Sequence, residues 1–97
     1  MKKPSCVTIG TRDYKIMFTE TVSDYGQYSD GKIYIDKSYD HGIQAETLKH
    51  EIIHAIWAHY ALPDKIDEET AASLLSQLEW EVYKNNQEVF EFVWSNE

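Results

Sequence analysis

From Ala45 to about Leu62 the chain contains neither proline nor glycine and is built of strong helix formers. Within this run Leu48, Ile52, Ile53, Ala55, Ile56, Trp57 and Ala58 place apolar side chains on nearly every side of the helix. A helix of that kind cannot lie on the surface of a small protein, so the rest of the chain has to be arranged around it. Pro63-Asp64 ends it, because the residue before a proline is pushed out of the helical region.

Set into this apolar helix is His50-Glu51-Ile52-Ile53-His54. Residues i and i+4 lie about 40° apart around a helix, so the two imidazoles project from one face, one turn apart. Two nitrogens so placed can reach a single ion at roughly 2.0–2.1 Å. Glu51 points about 100° away from His50. It is therefore poorly placed to chelate beside the pair, but able to take a proton from a water that the metal polarises and pass it to a leaving amine. A random chain of this composition would carry the H-E-x-x-H pattern about once in fifty to a hundred cases, so the motif gains its weight from the helix around it. Histidines on a buried helix need partners for their ring nitrogens, and a metal supplies one. The bland alternative is two satisfied core histidines with Glu51 as a surface acid.

The N-terminal part reads as strands. Val7-Thr8-Ile9 precedes Gly10, and Tyr14 to Thr19 is rich in β-formers. Ser29-Asp30-Gly31 is a turn signal, and Lys32-Ile33-Tyr34-Ile35-Asp36 alternates as a half-buried strand does. Glu20 to Tyr28 is polar and predicts a loop. A second helix is expected from near Asp67, whose apolar positions Ala71, Leu74, Leu75, Leu78 and Val82 share one face. Asn85-Asn86 ends or kinks it, and spacing leaves Val89 to Trp94 open between a short helix and an extended tail. The expectation is an α+β fold in one domain over residues 1–97: a small, mostly antiparallel sheet of two to three strands, the helix with the paired histidines, and a second packing helix.

With 97 residues, 42% hydrophobic and 27% charged, the composition is that of a small globular domain. No apolar run approaches a membrane span. The formal charge of -8 argues against a nucleic-acid backbone as partner and is compatible with steering a basic one. Met1-Lys2-Lys3-Pro4 leads into no apolar stretch, so no signal peptide is expected. A lone Cys6 forms no internal disulfide, which fits a reducing, cytoplasmic setting.

A third metal ligand has to come from outside the helix pair. Glu68 lies at the edge of the inward face of the second helix and is favoured over Glu69, which points nearly opposite. Glu69 reads better as an acid favouring the helix dipole, and Asp67 as the N-cap. His59, five residues after His54, is rotated about 140° from it and reads as structural. Tyr60, Tyr39 and His41 are unranked candidates for stabilising an oxyanion.

The runs Gly31 to Asp36 and Glu46 to Trp57, continuing through Glu68-Glu69, Leu74-Leu75 and Lys84-Asn85-Asn86, resemble a group of small phage and prophage metallopeptidase-like proteins. These are related to the ImmA/IrrE-like and SprT-like zinc peptidases, or minimal gluzincins. The resemblance covers roughly residues 28 to 93. It implies a zincin-like fold, a zinc cofactor, peptide-bond hydrolysis in the host cytoplasm, and a glutamate third ligand matching Glu68 or Glu69. It also implies a strand that holds a peptide substrate by edge pairing, matching Lys32 to Asp36, with Ile33, Tyr34 and Ile35 as substrate-binding residues. The alternative function is a catalytically weak or inactive zinc-binding module that binds a host protein, for which the aromatic tail (Phe90, Phe92, Trp94) is a candidate surface.

Overall fold

The computed structural model describes residues 2–20 and 24–94. Residues 21–23, inside the segment expected to be a loop, lie outside the described residues. The elements run β1 (Cys6–Ile9), β2 (Arg12–Thr19), β3 (Gly26–Ser29), β4 (Lys32–Asp36), α1 (His41–His59), α2 (Glu68–Asn85) and α3 (Gln87–Trp94). The fold is α+β, as expected, but the sheet is larger and mixed.

Two hairpins build the sheet. In β1 and β2, Val7, Ile9, Tyr14 and Ile16 are buried while Lys15 and Met17 face out, the period of two that one covered sheet face requires. Gly10, with φ of 63°, makes the turn between them. The second hairpin closes through Asp30 and Gly31, with φ of 45° and 79°, the left-handed pair that a two-residue turn uses to match the twist of its strands. Here β4 pairs antiparallel with β3 on one side and parallel with β2 on the other, with Ile16 opposite Ile33 and Phe18 opposite Ile35. The strand order is β1-β2-β4-β3 in a 4-stranded sheet. The expectation of two to three mostly antiparallel strands is thus corrected. The stretch expected to be loop contains β3, and its hairpin lays β4 into the space beside β2, which makes the central pair parallel.

The inner sheet face, with Ile33 and Ile35, packs on Ala45, Leu48, Ile52, Ala55 and Ile56 of α1. Withdrawing a side chain such as Leu48 or Ile52 from water contributes about 1.5–3 kcal/mol each. The Asp40 carboxylate accepts the Ile43 N–H at 3.0 Å, so α1 starts at His41, ahead of the Ala45 expected. Asp67 caps α2 in the same way, accepting from the Thr70 backbone N–H at 2.9 Å and the Thr70 hydroxyl at 2.7 Å. Those two bonds hold the Asp67 carboxyl below its usual range. The apolar face expected on α2 is seated only at its C-terminal end. Val82 and Tyr83 are buried and Leu78 packs against the core, while Ala71, Leu74 and Leu75 are half-buried.

The open question of the tail resolves as helix α3. Its Val89 and Phe92 join the core, and Phe90 and Trp94 stay exposed. No helix among the described residues is long and apolar enough to cross a membrane.

Candidate functional site

Helix α1 is divided lengthwise. Leu48, Ile52, Ala55 and Ile56 turn into the core, whereas His50 and His54 are exposed. This reverses the expectation of buried histidines: Ile53 and Trp57, the apolar neighbours on their face, are only half-buried, and the pair opens to solvent. Glu51 is the residue that is buried, at 7% exposure, because one step along the helix rotates it about 100° toward the sheet.

The two imidazoles nevertheless face each other. Their Nε2 atoms are 3.1 Å apart and the rings lie at 75° with centroids 4.8 Å apart. Without an ion, one ring donates to the other across that gap. If each nitrogen stood at about 2.0–2.1 Å from one zinc, the separation would correspond to an angle of about 95–100°, near that of a tetrahedral site. Two donors of the right type therefore converge on one point. A third protein ligand is not assembled with them: among the described residues no group of three or more His, Cys, Asp or Glu side chains is placed to hold a metal. Glu68 and Glu69 are both exposed in the first turn of α2, and Asp67 is engaged as its cap.

The other histidines lie away from this pair. His59 Nδ1 is 3.1 Å from the Tyr14 hydroxyl, and its ring lies against Gly10, where any Cβ would collide with it. His41 opens α1 rather than preceding it, and stacks edge-on against Phe92 with centroids 4.6 Å apart. Of the oxyanion candidates, Tyr60 caps the far end of α1, whereas Tyr39 packs on Tyr25 with centroids 4.7 Å apart.

Beside the histidines lies a cleft of ≈ 520 Å³ lined by Ile43, Glu46, Thr47, His50 and Glu51 of α1 and by Asp24, Tyr25 and Gly26 opposite. The α1 residues are spaced as a single helical stripe, which His54 extends by one turn. The facing wall is the start of β3, an outer strand of the sheet. Gly26 is required there. A Cβ would sit 2.5 Å from Thr47 Cγ2 and 2.7 Å from the Tyr34 carbonyl oxygen, so only glycine lets α1 approach the strand this closely.

No protein family, curated protein or solved structure matches the chain.

The expected substrate strand is corrected. Both edges of β4 are occupied, by β2 and by β3, and Ile33 and Ile35 are fully buried, so Ile33, Tyr34 and Ile35 cannot pair with an incoming peptide. Among the described residues, the strand with an unpaired edge beside the cleft is β3. In an antiparallel ladder, residues alternate between bonding the partner and pointing away. The Asp36 N–H donates to the Tyr25 carbonyl at 2.9 Å, which sets Tyr25 and Gln27 as inward-bonding and leaves the backbone groups of Gly26 and Tyr28 facing outward. The sequence signal for β3 was available: an Asp-Gly pair before one strand implies a strand of matching length on its other side. Tyr25 and Asp24 carried no such signal, because they sit at the cleft only once that hairpin is docked.

Glu51 also differs from the other well-buried carboxylate. Asp36, 8% exposed, accepts from the Ser38 N–H at 2.9 Å and the Ser38 hydroxyl at 2.7 Å, and these bonds hold its carboxyl below the usual range. Among the described residues no hydrogen bond engages the Glu51 carboxylate, which is left facing the cleft.

Proposed function

We propose that this chain is a zinc-dependent peptidase of minimal zincin type, phage- or prophage-encoded, acting on peptides in the host cytoplasm. The observation that carries the reading is the convergence of His50 and His54 Nε2 at 3.1 Å beside a buried Glu51, which no hydrogen bond engages among the described residues, at a cleft. His50 and His54 would hold the ion, and Glu68, with Glu69 as its alternate, would be the third ligand this reading requires. Zinc, when bound, supplies a Lewis acid for the scissile carbonyl and lowers the pKa of water to about 7. Glu51 takes the proton from the attacking water and delivers it to the leaving amine, a role suited to a buried carboxylate lining the cleft. The outward N–H and C=O groups of Gly26 and Tyr28 bind the peptide main chain by strand addition, holding it along the stripe that ends at His50 and Glu51.

The test is metal content and cleavage measured together. Protein purified without a histidine tag is expected to carry about one zinc per chain, as a site with three protein ligands does. His54→Ala should lose the zinc. Glu51→Gln should keep it while peptide cleavage falls by about 10²–10⁴-fold. Retained zinc in His54→Ala, or undiminished cleavage in Glu51→Gln, rejects the assignment. The exposed Phe90 and Trp94, at 39% and 53%, favour the second reading, a zinc-holding module that binds a host protein. In that case the biological effect survives Glu51→Gln and is lost with the two aromatics.

A further inference from the structure

We infer that the cleft selects cationic peptides, with Asp24 and Glu46 as its specificity-determining residues; this rests on the cleft being the substrate site proposed above. Its acidic and basic lining, among the described residues, consists of Asp24, Glu46, Glu51 and His50, with no lysine or arginine. Lys49, the cation next to His50 in the chain, is turned away, its ammonium 4.7 Å from the centre of the Trp94 ring. Asp24 and Glu46 are exposed carboxylates on opposite walls, one before β3 and one on α1. Glu51, 7% exposed and without a hydrogen bond among the described residues, is aimed into the same space.

The rest of the lining suits a long basic side chain. A lysine or arginine stem can lie along Tyr25, Ile43 and Thr47 while its charged end reaches a carboxylate, the arrangement such side chains adopt on half-apolar surfaces. Tyr25, 52% exposed, presents a ring that also attracts a cation. The unpaired backbone of Gly26 and Tyr28 fixes the main chain but reads no sequence. Selection therefore falls to side-chain charge: an acidic peptide would bring like charge against Asp24 and Glu46, and an uncharged one would gain nothing from them.

The experiment uses the full chain and fluorescein-labelled, blocked peptides of about ten residues, long enough to span an edge strand. One peptide alternates lysine with threonine, one glutamate with threonine, and one serine with threonine. Binding is read by anisotropy with a chelator present, so that no cleavage competes. The lysine peptide should bind tightest and the glutamate peptide weakest. The double variant Asp24→Asn/Glu46→Gln should lose about two- to tenfold in affinity for the lysine peptide, the scale of two exposed ion pairs. Asp64→Asn, an exposed acid outside the cleft, should bind as wild type does, and Glu46→Lys should shift preference toward the glutamate peptide. Equal binding of the three peptides overturns the inference. So does a lysine preference that the double variant keeps, since that would trace to the overall charge of -8 rather than to the cleft. Charge-selective binding without cleavage on adding zinc supports this inference and rejects the peptidase reading. Cleavage indifferent to charge does the reverse.

Discussion

The two edges of the sheet are finished in opposite ways. At the β1 edge, Thr8 is an outward-pointing residue in the middle of the strand, and both its backbone groups are taken by one side chain. The Thr8 N–H donates to Asn86 Oδ1 at 2.8 Å, and Asn86 Nδ2 donates to the Thr8 carbonyl at 2.8 Å. The Asn86 amide thus stands where a further strand would pair, and a second bond from Nδ2 to the Val82 carbonyl at 2.7 Å ties it to the end of α2. At the β3 edge the equivalent groups of Gly26 and Tyr28 have no strand beside them among the described residues, and Gly26 lines the cleft. An unpaired edge invites unwanted association, and this protein blunts one edge with a side chain. The edge left open is the one beside Glu51, where pairing with another chain would serve a function.

Asn86→Ala attacks the closed edge and should have the largest effect. It removes three hydrogen bonds in a half-buried place, for a cost of about 2–3 kcal/mol in urea-induced unfolding. A loss below about 0.5 kcal/mol would mean that the clamp is not what finishes this edge. Gly26→Ala attacks the open edge from within, forcing α1 and β3 apart at a cost of about 1–3 kcal/mol. Thr47→Ser in the same chain removes Cγ2 and should recover part of that loss; no recovery would put the obstruction at Tyr34 instead.

Amide exchange compares the edges without mutation. The Thr8 N–H should exchange at least about tenfold more slowly than those of Gly26 and Tyr28, because among the described residues only the former is bonded. A ligand on β3 should close that gap, and equal rates in the free protein would remove the distinction between the edges. The smallest effect is expected at Tyr83, which anchors the end of α2 that carries Asn86. Its hydroxyl is buried without a partner among the described residues, and burial first, then the neighbouring Glu79 carboxylate, raises its pKa above the usual 10.0. The folded chain therefore holds this proton more tightly than the unfolded one. The resulting stability is present below pH 10 and is lost as pH rises through the folded value. Tyr83→Phe should flatten that alkaline loss and raise stability at neutral pH by a few tenths to about 1 kcal/mol. A drop in stability at neutral pH would instead show that the hydroxyl has a partner.

Local rules carried much of this structure in the sequence. The glycine- and proline-free run and the N-cap Asp67 mark the helices by backbone chemistry within a few residues, whereas the cap at Asp40, which starts α1 four residues before that run, was not among the expectations. The i, i+4 spacing places His50 and His54 together on any helix, and alternation marks which residues of β1, β2 and β4 turn inward. Wheel geometry separates Glu51 from the histidines by 100° but does not say which side the sheet will cover. That choice needed the core: α1 turns Leu48, Ile52 and Ile56 to the sheet, and the same rotation buries Glu51 and exposes the pair.

Strand order was likewise decided by the tertiary structure, because pairing between β2 and β4 joins segments far apart in the chain and depends on where the β3 hairpin docks. With it came the edge that stays open, the clamp of Asn86 across the molecule onto Thr8, and the meeting of Asp24 with Glu46 at one cleft. Sequence alone determined which residues could do chemistry, through the periodicity of single helices and strands. Beyond the His50–His54 pair, only the folded chain decided which of them face one another, because those distances are set by packing between elements and not by spacing within them.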